Sequence, residues 1–253
     1  MFGFISTGKK SANFVNAQNH TNQNMCSFSV IIPTLNKNPD NLIHLVSWLS
    51  GEFWVDEIVV INNTGTPLYL PDSGQKYINQ ITVPENLYVN PSWNLGMLNL
   101  KRKTDWCIFL NDDIIVPTNV ISALSVLPDL ESYSLVGIDG RVITNRETSL
   151  NDWGLPPIEN LQITETGNHR NWGFGVFVLI KRSEYITIPA DLKIWCGDDY
   201  LFQEYKDKGL KVGIANIPIT TNMSTTSDRP EFEEIRNKDL QTFNEKYKKD
   251  FIN

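Results

Sequence analysis

Two pairs of adjacent carboxylates stand out in this sequence: Asp112-Asp113, closing the apolar run CIFL, and Asp198-Asp199, inside the segment IWCGDDYLF. Neighbouring carboxylates repel each other unless a cation or a proton is shared between them. Hard oxygen ligands suit Mn2+ or Mg2+, and such an ion can bridge a protein to a diphosphate and neutralise the charge that departs with it. Taken alone, Asp112-Asp113 reads first as a solvated turn after a strand. In the second pair Gly197 breaks the chain and the acids open a helix, where capping is their plain structural role. Trp195 beside them widens the chemistry. Its ring can stack on the apolar face of a sugar while a nearby carboxylate takes a proton from a hydroxyl, although core packing explains a tryptophan equally well.

The elements that must position these acids alternate in type. FSVIIPTLN reads as a strand stopped by Pro33, and Pro39-Asp40 opens an amphipathic helix with Leu42, Leu45, Val46 and Leu49 on one face. VDEIVVINNTG reads as a buried strand from about Glu57 to Ile61 and a polar turn, with another strand near Ile78 to Val83. PSWNLGMLNLKRK predicts a helix that starts at Pro91-Ser92 and ends in basic residues. DWCIFL then predicts a buried strand that delivers Asp112. This alternation implies an α/β fold with a mostly parallel central sheet flanked by helices. Ligands gather beyond the strand carboxyl ends of such a sheet, where Asn36, Asn62 and Asp112 fall.

SLVGIDG and GFGVFVLIKR read as further strands, and the Trp-, Gly-, Pro- and Asn-rich stretch from Asn151 to Trp172 between them predicts a mobile substrate loop. DDYLFQEYKDKG predicts a helix closed by Gly209, and KVGIANI a final strand. From Ser227 onward, a C-terminal helix is predicted to pack on the domain through Phe232, Ile235, Leu240, Phe243 and Tyr247. Residues 1–27, rich in Asn, Ser, Thr and Gln, read as a polar N-terminal extension. The expected organisation is therefore an extension over 1–27, a catalytic domain over 28–226 and the helix over 227–253.

A chain of 253 residues suits one such domain, and 41% hydrophobic against 20% charged residues is ordinary for a folded protein. Lys plus Arg total 22 against 29 Asp plus Glu, a net charge of −7 that disfavours nucleic acid as a partner. Cys26, Cys107 and Cys196 have no paired spacing, which argues against a disulfide framework or zinc knuckle and suits a reducing cytoplasm. The longest strongly apolar run, Val176 to Ile180, cannot span a bilayer, so no transmembrane segment is expected and membrane contact would be peripheral.

In order, FSVIIPTLN, DEIVVINNTG, PSWNLGMLN, CIFLNDDIIV, WGFGVFVLIKR and IWCGDDYLF resemble the inverting family 2 glycosyltransferases of the GT-A fold, over roughly residues 28–217. The resemblance implies a nucleotide-diphosphate sugar donor, with a UDP-sugar favoured, a carbohydrate or glycolipid acceptor, Mn2+ or Mg2+, and a role in glycan or surface polysaccharide synthesis. It implies that Pro33, Thr34, Asn36, Asn62 and Asn63 surround the nucleobase, that Trp93 and Asn94 lie near the donor, and that Asn111 and Asp112 approach the ribose. Asp113 is then the metal ligand. Gly197-Asp198-Asp199 matches the family's Gly-Glu-Asp, whose last acid is the base, which nominates Asp199. By the same match Trp172, Gly173, Trp195 and Asp198 surround the acceptor.

The chain departs from the family at three places. Asn62 and Asn63 stand where many members have Asp, Asn111 replaces a frequent acid, and Ile219 to Met223 carry no His where many members complete the metal site. His44 reads as an ordinary helix residue, and His169 falls in the acceptor loop, where it reads first as a solvated loop residue and second as a substrate contact. Two other readings remain open: a nucleotidyltransferase, against which ProThrLeuAsnLysAsn offers no glycine-rich phosphate loop, and a sugar- or nucleotide-binding module without turnover.

Overall fold

The computed structural model describes residues 26–71, 76–147, 153–222 and 229–249. Nearly all of the expected N-terminal extension, residues 151–152 of the expected loop, Met223, and the expected start of the C-terminal helix at Ser227 lie outside the described residues.

Strands β1 (Phe28–Thr34), β2 (Val55–Asn62), β3 (Tyr77–Thr82) and β4 (Trp106–Leu110) run parallel in the order β3-β2-β1-β4. Their central members are apolar on both faces because helices cover the sheet from either side. Along β1, Val30 and Ile32 join one core layer while Ile31 joins the other with Val59, Trp93 and Phe109. Each such fully buried side chain stabilises the fold by about 1.5–3 kcal/mol. Pro33 does not stop β1. It pairs with Ile61 of β2, at a level where pairing with β4 has already ended at Ile31, so β1 there tolerates proline as an edge does.

Helix α1 (Pro39–Gly51) buries Leu42, Leu45, Val46 and Leu49 as the spacing predicts, and the Asn38 side chain caps it by accepting the Asn41 N–H at 3.2 Å. Helix α2 (Val89–Leu98) starts two residues earlier than expected and stops before the basic residues. The backbone N–H groups of Lys101 and Arg102 bind instead the buried carboxylate of Glu57, at 2.7 to 3.1 Å, so this segment turns back against β2 rather than extending the helix. Gly96 lets α2 lie directly on the sheet, since a Cβ there would come within 2.4 Å of Ile31.

Beyond β4 the chain forms β5 (Ile114–Ile115), α3 (Val120–Ser125), β6 (Leu135–Ile138), β7 (Ile143–Asn145), β8 (Ile163–Glu165), β9 (Phe177–Lys181), α4 (Gly197–Asp207), β10 (Val212–Ala215) and β11 (Ile219–Thr221). The main sheet continues β4-β9-β6-β10-β8, with β9 antiparallel to both neighbours. Residues Phe174–Val176 form a 3-10 turn after Gly173, at φ +77°, so the strand expected over GFGVFVLIKR begins only at Phe177. KVGIANI is not the last strand. Ile219–Thr221 pairs with β5 and β7 in a second small sheet, which fixes the strand that follows the β4–β5 turn carrying Asp112 and Asp113.

The C-terminal segment is a turn, Pro230–Phe232, followed by α5 (Glu233–Thr242) and a wide turn over Phe243–Tyr247. Of the expected apolar stripe, Phe243 is buried in the core and Tyr247 packs against the same cluster, but the stripe is not continuous. Leu240 is 41% exposed, whereas Asp239 is 1% exposed because its carboxylate binds backbone groups of the domain. No helix among the described residues is long and apolar enough to cross a membrane.

Candidate active site

A cavity of about 290 Å3 opens where β1, β2 and β4 end. Thr34 closes β1, Asn63 follows β2, and Asn111, Asp112 and Asp113 follow β4; all five line it, as does Pro33. The Thr34 hydroxyl donates to Asp112, and the Asn41 amide donates to the Asp112 carbonyl at 2.7 Å, so β1 and α1 together hold the β4 turn. Burial, reinforced by the negative charge of Asp113, pushes the Asp112 carboxyl up to about 7.

Three expected nucleotide contacts are not on this wall. Asn36 sits at φ +53° in the turn after β1, with its N–H bound to the Thr34 hydroxyl at 2.8 Å. Asn62 is buried and builds its own turn, accepting the Thr64 N–H at 3.0 Å and donating to the Thr66 carbonyl at 2.6 Å. Asn94 ties α2 to the chain around Ile188, donating to its carbonyl at 2.8 Å and accepting the Tyr185 hydroxyl at 2.5 Å. Asn62 and Asn94 thus satisfy their side-chain amides inside the protein, whereas the bond from Asn36 is a backbone one. Asn63 does reach the wall, steadied by Ser92 at 3.0 Å and the Leu87 N–H at 2.9 Å.

The residues expected around the acceptor come from the second half of the chain. Trp195, Asp198, Asp199, Trp172 and Gly173 all line the same cavity, with Trp93 and Tyr88 from the α2 region and Phe232 from the C-terminal segment. Trp172 is 60% exposed at the rim and its ring lies on Gly140, where a Cβ would sit 1.9 Å away. Helix α4 begins after Cys196, at φ +63°, and neither Asp198 nor Asp199 caps it. Gly197 is required because a Cβ would come 2.1 Å from Asn90 Oδ1.

Both acids turn instead toward Arg170. Its Nε lies 2.5 Å from Asp199 Oδ1 and its Nη2 3.2 Å from Asp199 Oδ2, while Nη1 lies 3.0 Å from Asp198 Oδ2. Burial pushes the Asp198 carboxyl above its ordinary range, with the Arg170 charge opposing and the Asp199 charge adding to the rise. Sequence reasoning passed over Arg170 and attended to its neighbour His169, which is exposed and off the wall. The available signal was an arginine directly before the NWGFG turn. Tyr88 and Phe232 were missed as well; their rings meet edge to face with centroids 6.2 Å apart. Asn90 Oδ1, Trp93 Nε1 and Trp195 Nε1 are buried polar atoms of wall residues that lack a partner among the described residues.

Among the described residues no group of three or more His, Cys, Asp or Glu could hold a metal ion by itself. Ile219, Thr220 and Thr221, in the region where the family resemblance places a His, are buried in the small sheet. The donor set that does face the cavity, Asp112 and Asp113, fits a hard cation that takes its remaining ligands from a diphosphate.

No protein-family model and no curated protein sequence matches the chain. Similarity appears among solved structures. The chain is similar to the crystal structure of GalNAc-T7 with UDP, GalNAc and Mn2+, with a TM-score of 0.55 and 13% identity, covering 79% of this chain and 44% of that one. The chain has the GT-A fold. It is similar in the same way to residues 1–349 of S. aureus TarS, with a TM-score of 0.51 and 12% identity, covering 86% of this chain and 72% of that one. The chain thus spans less than half the length of GalNAc-T7, and the GT-A likeness lies in architecture rather than in sequence.

Proposed function

We propose that this chain is a glycosyltransferase that moves a sugar from a nucleotide-diphosphate donor to a hydroxyl of a carbohydrate or glycolipid acceptor, in glycan or surface polysaccharide synthesis. The observation that carries this reading is the single cavity in which Asp112-Asp113, at the end of β4, and Asp198-Asp199, at the start of α4, share a wall with Trp93 and Trp195. GT-A architecture supports it, and a UDP-sugar is the favoured donor because GalNAc-T7 was crystallised with UDP.

In this reading Thr34 and Asn63 face the nucleoside, and Asp112 and Asp113 face the diphosphate. Mn2+ or Mg2+ bound with the donor at Asp113 would neutralise charge on the leaving diphosphate. Trp195 and Trp172 give the acceptor ring an apolar face, and the aromatic wall keeps water from competing with the acceptor. Asp199 takes the proton of the acceptor hydroxyl as that oxygen attacks the anomeric carbon opposite the leaving nucleotide, inverting the centre in one displacement.

A thermal-shift screen of nucleoside diphosphates with Mn2+, followed by assay of sugar transfer from the sugar nucleotide of the best binder, tests the proposal. A specific nucleotide should stabilise the fold by mass action, and transfer should follow. Binding without transfer to any hydroxyl acceptor, or any donor hydrolysis, would leave a nucleotide-binding module. Absence of nucleotide binding would overturn the reading.

A further inference from the structure

Arg170 stands in the chain segment ahead of β9, yet its guanidinium engages both acids at the start of α4. Its side chain is only 25% exposed, so the pairing is partly shielded from water and held more strongly than an ion pair on an open surface. The contact with Asp199 is a fork: Nε on Oδ1 and Nη2 on Oδ2. This geometry fixes the carboxylate plane, which a single-point contact cannot do. Each carboxylate oxygen has two acceptor sites, so the fork leaves one on each oxygen for a hydroxyl. Arg170 Nη1 also donates to the Asn171 carbonyl at 3.1 Å, which anchors the guanidinium itself.

The surrounding charges make a counter-ion necessary. Asp198 presses on Asp199 from the adjacent position of α4, and Asp112 and Asp113 line the same cavity from β4. Cys196 lies at the turn before α4, with its thiol pushed up to about 12, chiefly by burial, and so neutral. Asp239 lies behind the 193–195 segment, bound to its backbone N–H groups. Gly175 packs against Asp198, where a Cβ would come 2.7 Å from Oδ2.

We propose that Arg170 is a positioning residue for the transfer step, holding the Asp199 carboxylate in the plane and rotamer from which it accepts the acceptor's proton. The inference rests on the glycosyl-transfer reading. As the acceptor oxygen bonds to the anomeric carbon, the bond from that carbon to the diphosphate oxygen breaks and its electron pair leaves with the nucleoside diphosphate. The hydroxyl proton passes to Asp199. Arg170 exchanges no proton and acts through Asp199.

Arg170→Met and Arg170→Lys test this. In Arg170→Met, kcat should fall about 100-fold while nucleotide Kd stays within about threefold, because the base is misplaced and the donor is not. The acid limb of the kcat–pH profile should move to higher pH, since an unpaired carboxylate takes a proton more readily than one facing a guanidinium. Arg170→Lys should return the limb toward the parent position but recover only part of kcat, because an ammonium cannot make the fork. Unchanged kcat, an unmoved limb in the Met variant, or a matching loss of nucleotide affinity would each overturn the proposal. If circular dichroism shows that Arg170→Met does not fold, the Lys variant decides: undiminished kcat overturns the proposal, and reduced kcat with unaltered nucleotide Kd supports it. Titration of the 13C-labelled Asp199 carboxyl in both proteins separates the two levels of inference. Lack of sugar transfer by the parent protein defeats the functional reading alone, whereas identical Asp199 titration with and without Arg170 defeats the positioning role even where transfer stands.

Discussion

The carboxylate of Asp239, on α5, accepts the backbone N–H of Trp195 at 2.9 Å. Its two oxygens also accept the N–H groups of Lys193 at 3.0 Å and Ile194 at 2.7 Å. From the other side Asn90 donates its backbone N–H to the Lys193 carbonyl at 2.9 Å and its side-chain amide to the Trp195 carbonyl at 3.3 Å. The segment that carries Trp195 into the cavity is thus held between α2 and α5. Asp239→Ala leaves three N–H groups without their acceptor and should lower stability by about 2–4 kcal/mol. In the fraction that folds, the acceptor KM should rise more than the donor KM. Urea unfolding and steady-state kinetics check this; equal rises in both KM values would show that α5 supports the whole domain and not the acceptor wall.

Asp113→Ala should remove the effect of metal on nucleotide affinity. The parent protein should bind a nucleoside diphosphate more tightly with Mn2+ than with EDTA, and the variant should bind equally in both. Calorimetry measures the four affinities. With Asp112 and Asp113 as the carboxylates at the β4 end of the cavity, much of the coordination falls to the diphosphate, so the ion alone should bind weakly.

Asp199→Asn should fold, bind nucleotide and lose transfer by about 10²–10⁴-fold, the usual range for a general base. An amide has nearly the same shape but accepts no proton. Asp198→Asn is the control and should lose far less. If the larger loss follows Asp198, the base is the deeper acid, and Asp199 serves to hold Arg170.

Acid should loosen the C-terminal segment. Lys246 lies 2.7 Å from Asp191, and the Tyr247 hydroxyl donates to Asp191 at 2.8 Å. The Lys246 hydrogen bond, assisted by Tyr247 and opposed by slight burial, holds the Asp191 carboxyl below its ordinary value. A depressed carboxylate adds stability above its unfolded pKa of about 3.9, and that stability is lost as pH falls from there through the lower folded value. Amide exchange over residues 243–247 should therefore accelerate below about pH 4. Asp191→Asn should exchange faster at neutral pH and show less dependence on acid.

Repeating patterns along the chain were enough to locate most elements. Buried strands such as VDEIVVIN are legible as near-continuous apolar runs because both faces are covered, and the α1 stripe because burial recurs every three to four residues in a helix. Exceptions had local causes: Pro33 is tolerated where one neighbour of β1 has ended, and IleThrThr of β11 is too short to show periodicity.

The candidate site divides in the same way. Asp112 at the end of β4, and Gly197 with the two acids opening α4, could be placed from the chain alone, because a strand end and a broken helix start are local events. The structure alone decided that Asn62 and Asn94 turn inward and that Asp239 holds Trp195 from 44 residues away. It also decided that Arg170 grips Asp199 across 29 residues. A buried polar side chain must find a partner, and which one it finds depends on the loops that folding brings together. Local sequence patterns carry no record of that meeting.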